Sequence, residues 1–192
     1  MLYSRLSAGR RVRLHRQISL RLETAYGMQS HEIATELATH FERGQDVSKA
    51  IQYRRQAADN ALQRSAHHET IIHINRGLQL LASLPVTPDH SQQELTLLIT
   101  LGVPLVATKG YTAPEVEQTY TQAYSLCRKV GNNQQMGLAL VGLWRVYSMR
   151  GKLKTAREIA SQLLELARGG NDASQLIEAH RAMGSFCAGW AI

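Results

Sequence analysis

Cysteine, proline and aromatic residues are scarce in this chain, and each scarcity excludes something. The 192 residues contain two cysteines, Cys127 and Cys187. Two distant thiols cannot form the disulfide framework of a small secreted domain, and they fit a reducing compartment. Each sits among helical apolar positions, the usual setting of a small buried hydrophobe. Only four prolines interrupt the chain, which leaves the long unbroken stretches that helices require. Aromatics make up 6% against 44% apolar residues in all. That balance suits a helical protein built on Ala and Leu and argues against wholesale disorder. No apolar run is long enough to span a bilayer, since the most apolar stretch, Leu97 to Ala107, is short and contains Pro104. The first residues carry arginines with no apolar core behind them, so no signal peptide is expected. A cytoplasmic location follows as the expectation.

Basic residues are present in excess but unevenly. The formal net charge is +7, and residues 1–27 alone hold six arginines and a single acid, Glu23. The remainder is nearly balanced, with 16 basic and 14 acidic groups. The sequence thus divides into a basic connector helix, 1–27, and a repeat domain, 28–192.

Hydrophobic spacing has a helical period nearly everywhere, and about nine helices are expected. The first runs from Ser7 to Tyr26 and stops at Gly27. The second starts at Ser30 as N-cap and ends at Arg43, before Gly44. The third follows Asp46, and the fourth runs from Ser65 to Ser83. Thr87 and Pro88 open the fifth, which ends before Gly110. Thr112, Pro114 and Glu115 open the sixth as N-cap, early proline and capping-box acid. The seventh follows Asn132, and Gly151 separates it from the eighth. Gly169 and Gly170 close the eighth. Asp172 opens the ninth, which runs into the C-terminus.

An internal repeat runs through these helices. Leu140, Leu143, Trp144 and Tyr147 match the large positions of a tetratricopeptide helix, with Ala156 and Ala160 on its partner. Leu98, Leu101, Gly102 and Leu105 form another copy. Met183, Gly184 and Cys187 form a third, and Ala57, Ala58 and Ala61 a weaker fourth. The copies recur about every 40 to 44 residues, longer than the usual period of about 34. The fold class expected is therefore all-α, a tetratricopeptide-like α-solenoid of antiparallel helices in which small residues allow close approach.

Several segments are similar to one family. They are Glu36-Leu37-Ala38 with His40-Phe41, Ala50, Tyr53 and Ala57; Gly77 to Leu81 with Leu84-Pro85 and Gln93-Glu94-Leu95; and Ala107 to Tyr111 with Ala113 to Val116. Upstream, Tyr3, Leu6, Arg10-Arg11 and Leu14-His15-Arg16 join them. In this order they resemble the carboxy-terminal helical region of large bacterial multidomain signalling ATPases, of the STAND or AAA type, often fused to an adenylate/guanylate cyclase or a Ser/Thr kinase. The phosphate-binding loop of that family, G-x-x-x-x-G-K-[ST], is missing. The one Gly-Lys pair, Gly151-Lys152, is followed by Leu153. The resemblance therefore implies the repeat portion of such a protein, truncated or encoded alone, without its catalysis.

No catalytic, cofactor or metal residue is expected. His67, His68, Glu69 and His73 approach the H-E-x-x-H zinc motif, but His68 and His73 are five apart, about 140° around a helix. Pairs such as His31 with Glu32 and Glu178 with His180 lie too close in sequence to face each other. No G-x-S-x-G elbow occurs.

The expected role is recognition of a protein or peptide, or of a neighbouring ATPase domain, by a curved helical surface. Val141, Arg145 and Ser148, the outward positions beside Trp144 and Tyr147, are the partner-binding candidates. Arg10, Arg13 and Arg16 are the domain-docking candidates, on a helix whose apolar stripe is Leu14, Ile18, Leu22 and Tyr26. Nucleic acid is disfavoured, because that helix lacks an aromatic platform. No membrane partner is expected. The competing readings are a fragment of a cyclase or ATPase that works only with further domains, and a helical transcription regulator. The ninth helix, with Met183, Gly184, Phe186 and Trp190, has no polar cap after it, so self-association through it is expected.

Overall fold

A computed structural model describes residues 7–169 and 173–187, with side chains up to Gly184. Gly170, Asp172, Trp190 and the side chain of Phe186, all named above, lie outside the described residues, as do Tyr3 and Leu6. The described residues form nine α-helices and one 3-10 helix and no strand. The helices are α1 (Ala8–Tyr26), α2 (Ala34–Arg43), α3 (Val47–Gln63), α4 (His67–Leu81), α5 (Pro88–Lys109), α6 (Pro114–Val130), α7 (Asn133–Met149), α8 (Leu153–Arg168) and α9 (Ala173–Cys187). The chain divides into two compact units, Met1–Val86 and Thr87–Ile192. The fold is all-α, and within each unit helices adjacent in sequence pack on one another in solenoid fashion.

Local chemistry sets most boundaries. Asp46 caps α3 by accepting a hydrogen bond from the Lys49 amide at 3.1 Å. Thr87 caps α5 through the His90 amide, and Asn132 caps α7 through the Gln135 amide. Each satisfies an amide that the first helical turn leaves without a partner. Gly131 ends α6 in the left-handed region, where the amides of Gly131 and Asn132 both return to the Cys127 carbonyl. Replacing Asp46 with Ala is expected to lower the stability of the first unit by about 1 kcal/mol, read as a lower urea midpoint.

Two starts differ from the sequence reading. Ser30 does not cap α2. A 3-10 turn, Gly27–His31, comes first, and α2 begins at Ala34 with Ile33 before it. Thr112 does not cap α6 either. Ala113 precedes Pro114, and the Glu115 carboxylate goes to Lys109 instead of back to the helix start.

In the first unit, Leu37 and Phe41 of α2 pack with Ala50, Tyr53 and Ala57 of α3, and Phe41 and Tyr53 stack at 5.4 Å. Burying a side chain the size of Leu37 or Phe41 contributes about 2–3 kcal/mol. In the second unit, Leu98, Leu101, Gly102 and Leu105 are buried on α5, and Leu140, Leu143 and Trp144 on α7. Their small partners Ala156 and Ala160 are fully covered on α8. Tyr120 of α6 lies between two of these helices. A Cβ on Gly102 or on Gly142 would run into its ring, so both positions must stay bare for α5, α6 and α7 to close. Burial pushes the Tyr120 hydroxyl up to about 12.

The α1 stripe also differs from expectation. Leu14 and Tyr26 are exposed, Ile18 and Leu22 half-buried, and the buried residues are His15 and Ser19. The reason is a close crossing. Gly44, at the end of α2, brings its backbone against that of Arg16, where a Cβ would stand 3.1 Å from the Arg16 nitrogen. Small Ser19 and flat His15 fit that narrow gap.

Candidate functional site

The second unit has two helical layers. α7 touches both α5 and α9, so these three make one layer. α6 fits between α5 and α7, and α8 between α7 and α9, forming the other. The two layers leave α7 as the central helix of the first, and its side chains reach both neighbours.

Arg145 is the residue that spans that layer. One terminal nitrogen donates to the Tyr111 hydroxyl at 3.0 Å, just beyond α5, and the other stands 3.5 Å from Glu178 on α9. Glu178 also accepts from Arg181 at 2.6 Å, and the Arg181 guanidinium lies 5.9 Å from the centre of the Trp144 ring. Such a cation over an indole face is attracted by the ring quadrupole. At the other end of the layer the joins are amides. Gln92 donates to Gln135 at 3.1 Å, and Gln175 donates to the Gln134 carbonyl at 3.3 Å.

The three partner-binding candidates, Val141, Arg145 and Ser148, are all half-buried on α7. The structure places Arg145 in the charged strip. Ser148 Oγ is covered and has no hydrogen-bond partner among the described residues, and neither has the Trp144 indole nitrogen four residues before it. The layer also exposes large apolar side chains: Val103 on α5, Leu138 and Met149 on α7, Ile177 on α9. Paired charges and exposed apolar groups on the same helices can take up a chain with mixed character. Tyr111 and Arg181 were not visible as members of this strip from sequence alone, since Tyr111 lies in a turn.

Glu117, behind this layer on α6, holds Tyr147 of α7 and Arg150 just after it. The bond from Tyr147 is the chief cause that holds its carboxyl below the usual range. Arg150 also donates to the Thr112 carbonyl at 2.9 Å. These bonds fix the far end of α7 and so the register of Arg145.

No protein-family model matches this chain, and a search of the curated proteins also gives no match.

The docking candidates Arg10, Arg13 and Arg16 are all exposed on α1, and none makes an ion pair among the described residues. The single acid of that helix, Glu23, is engaged elsewhere, accepting from Lys49 at 2.6 Å and from Tyr53 at 2.7 Å on α3. The histidine-rich start of α4 has diverging side chains: His68 is exposed, while His73 is buried and lies 3.4 Å from Thr35 Oγ1 and 3.3 Å from Arg54. Among the described residues no three of His, Cys, Asp and Glu gather as a metal would need. No helix there is long and apolar enough to cross a membrane.

A cleft of about 660 Å³ opens on the other side of α7, lined by Tyr124, Cys127, Gly131, Leu140, Gln162 and Glu165 among others. Burial pushes the Cys127 thiol up from its ordinary range, which keeps it protonated and poorly nucleophilic.

Proposed function

We propose that the chain is a non-catalytic recognition module that binds a protein or peptide on the α5–α7–α9 layer. The observation that carries the reading is Arg145, placed at the centre of the layer and linked to both neighbouring elements. A partner laid across α7 meets this charged strip and the exposed apolar residues beside it. The resemblance to the helical region of bacterial signalling ATPases supports a sensor or scaffold role, in which a bound partner biases a linked ATPase, cyclase or kinase. Such coupling requires the partner to prefer one conformational state of the whole. Arg10, Arg13 and Arg16, exposed and without ion pairs among the described residues, favour a second contact in which α1 docks on an acidic surface of a neighbouring domain.

The test is affinity capture with three forms of the full chain. Arg145→Glu reverses the central charge, whereas Arg157→Glu alters an exposed position on α8 of the other layer. Partners that use the layer are expected to be retained about tenfold less by Arg145→Glu, the consequence of losing a single charged contact, and normally by Arg157→Glu. Equal recovery by all three forms removes the assignment.

A further inference from the structure

We propose that Glu178 is an internal stand-in for an acidic side chain of the partner, so that the α5–α7–α9 layer selects acidic peptides. The inference rests on the reading of that layer as the recognition surface. It starts from an imbalance of charge. Two guanidinium groups, Arg145 of α7 and Arg181 of α9, converge on the one carboxylate of Glu178, and both approach the same oxygen, Oε2. Arg181 takes it at 2.6 Å. Arg145 stops at 3.5 Å, beyond the roughly 2.7–2.9 Å of a charged N–H···O bond. The other oxygen of Glu178 accepts no bond among the described residues.

A guanidinium presents a rigid fork of N–H donors that fits both oxygens of a carboxylate. Arg145 uses one donor, on the Tyr111 hydroxyl at 3.0 Å, and makes no other hydrogen bond among the described residues. The tyrosine steadies the guanidinium and leaves its charge intact. Glu178 therefore balances one of two cations and bonds closely to only one. What remains is a surplus positive charge and an unfilled fork within reach of solvent, since the Arg145 side chain is 34% exposed. The apolar surroundings say what kind of molecule brings the missing acid. Val141 lies one turn before Arg145 on α7, and exposed Ile177 precedes Glu178 on α9. Val103 and Leu138 are exposed on the same layer. Inorganic phosphate or a nucleic-acid backbone has nothing to cover these groups, whereas a peptide with Asp or Glu between apolar residues meets both needs.

Glu178 can give way. An ion pair this exposed and this long contributes little, and a carboxylate that fills the Arg145 fork replaces it with a stronger contact. The Glu178 side chain then turns to solvent, and exposed Arg181 can follow either acid. Until it leaves, Glu178 repels the incoming carboxylate and holds the affinity down. The opposite role, a brace that keeps Arg145 in place for the partner, predicts the opposite sign. Removing the Glu178 charge strengthens binding if it competes and weakens binding if it braces.

Phage selection of random dodecapeptides on the full chain, followed by fluorescence anisotropy of the recovered peptides, tests this. The wild type is expected to enrich Asp or Glu between apolar residues. Glu178→Gln keeps the shape and removes the charge, and is expected to bind the recovered peptides about two- to fivefold more tightly, the size of one exposed charge contact. Arg145→Gln is expected to bind them about tenfold more weakly, and changing the peptides' acid to its amide should erase both differences. Circular dichroism confirms that each variant keeps its helices, and Arg181→Gln, weakened less than Arg145→Gln, serves as a further variant. The stand-in is overturned if the recovered peptides carry no acid, or if Glu178→Gln binds them no better than the wild type. Acid-free peptides that Leu138→Glu still rejects would sink the stand-in alone and leave the layer as the recognition surface. Recovery of no peptide, with equal partner capture by the wild type and Arg145→Glu, would remove both.

Discussion

Gly142→Ala is expected to destabilise the second unit by about 1–3 kcal/mol, although the same change in a helix is normally favourable by up to about 1 kcal/mol. The inversion comes from Tyr120. A Cβ at Gly142 would stand 2.5 Å from Cδ1 of that ring and 2.6 Å from Cγ, atoms near the backbone that cannot swing aside. On its other side the ring is met by Gly102, where the near atoms are the hydroxyl end. Gly102→Ala is therefore expected to be milder. Gly184, on α9, supplies the control, because a methyl group added there would have nothing within 4 Å among the described residues. Its change to Ala is expected to be neutral or to stabilise by a few tenths up to about 1 kcal/mol. Chemical denaturation of the three variants, and of Gly142→Ala combined with Tyr120→Ala, checks the cause. If the ring is the obstacle, the two costs are not additive, because the truncated residue leaves room for the methyl group.

Glu42→Gln is expected to cost the first unit about 2–4 kcal/mol, somewhat less than the roughly 3–5 kcal/mol for a fully buried charge left without its partner, because Glu42 is 20% exposed. Glu42 of α2 accepts from Arg54 of α3 at 2.9 Å and from Arg76 of α4 through both Nε and a terminal nitrogen. The Arg54 side chain is only 13% exposed, and its Nε has no partner among the described residues, so it has little access to water when the carboxylate goes. Arg76 is 43% exposed and can. Arg76→Ala is accordingly expected to cost less than about 1 kcal/mol. Burial raises the Glu42 carboxyl, but the bonds from Arg76 and Arg54 outweigh it and leave it below the ordinary range. Its contribution is thus present above the ordinary glutamate pKa and is lost as pH falls through the lowered value. Urea titrations at several pH values should show the wild type and Glu42→Gln converging in acid.

The helices and much of the core were legible because they depend on local signals. Asp46, Thr87 with Pro88, and Asn132 announce helix starts through their own side chains, and all three behave so in the structure. Leu98, Leu101, Leu140 and Leu143 follow the helical period and are buried. Ser30 and Thr112 carry the same chemistry but do not cap, since a 3-10 turn and a proline govern those two segments. The sequence also could not show which face of α1 meets α2. Leu14, Ile18, Leu22 and Tyr26 are the obvious stripe, but the crossing at Gly44 selects His15 and Ser19. The strip at Arg145 was half visible. Its position on the outward side of α7 follows from the repeat, whereas Tyr111 and Glu178, 34 and 33 residues away, become neighbours only when α5 and α9 flank α7. Likewise Glu42, Arg54 and Arg76 lie on three helices, and no spacing rule joins them.

The division at Val86 and Thr87 has a spectroscopic consequence. Both tryptophans, Trp144 and Trp190, belong to the second unit, and the first has none. Indole emission therefore arises from Thr87–Ile192 alone. Far-ultraviolet ellipticity, to which every helix contributes, weighs both halves, and a mismatch between the two signals during melting would resolve one unit from the other.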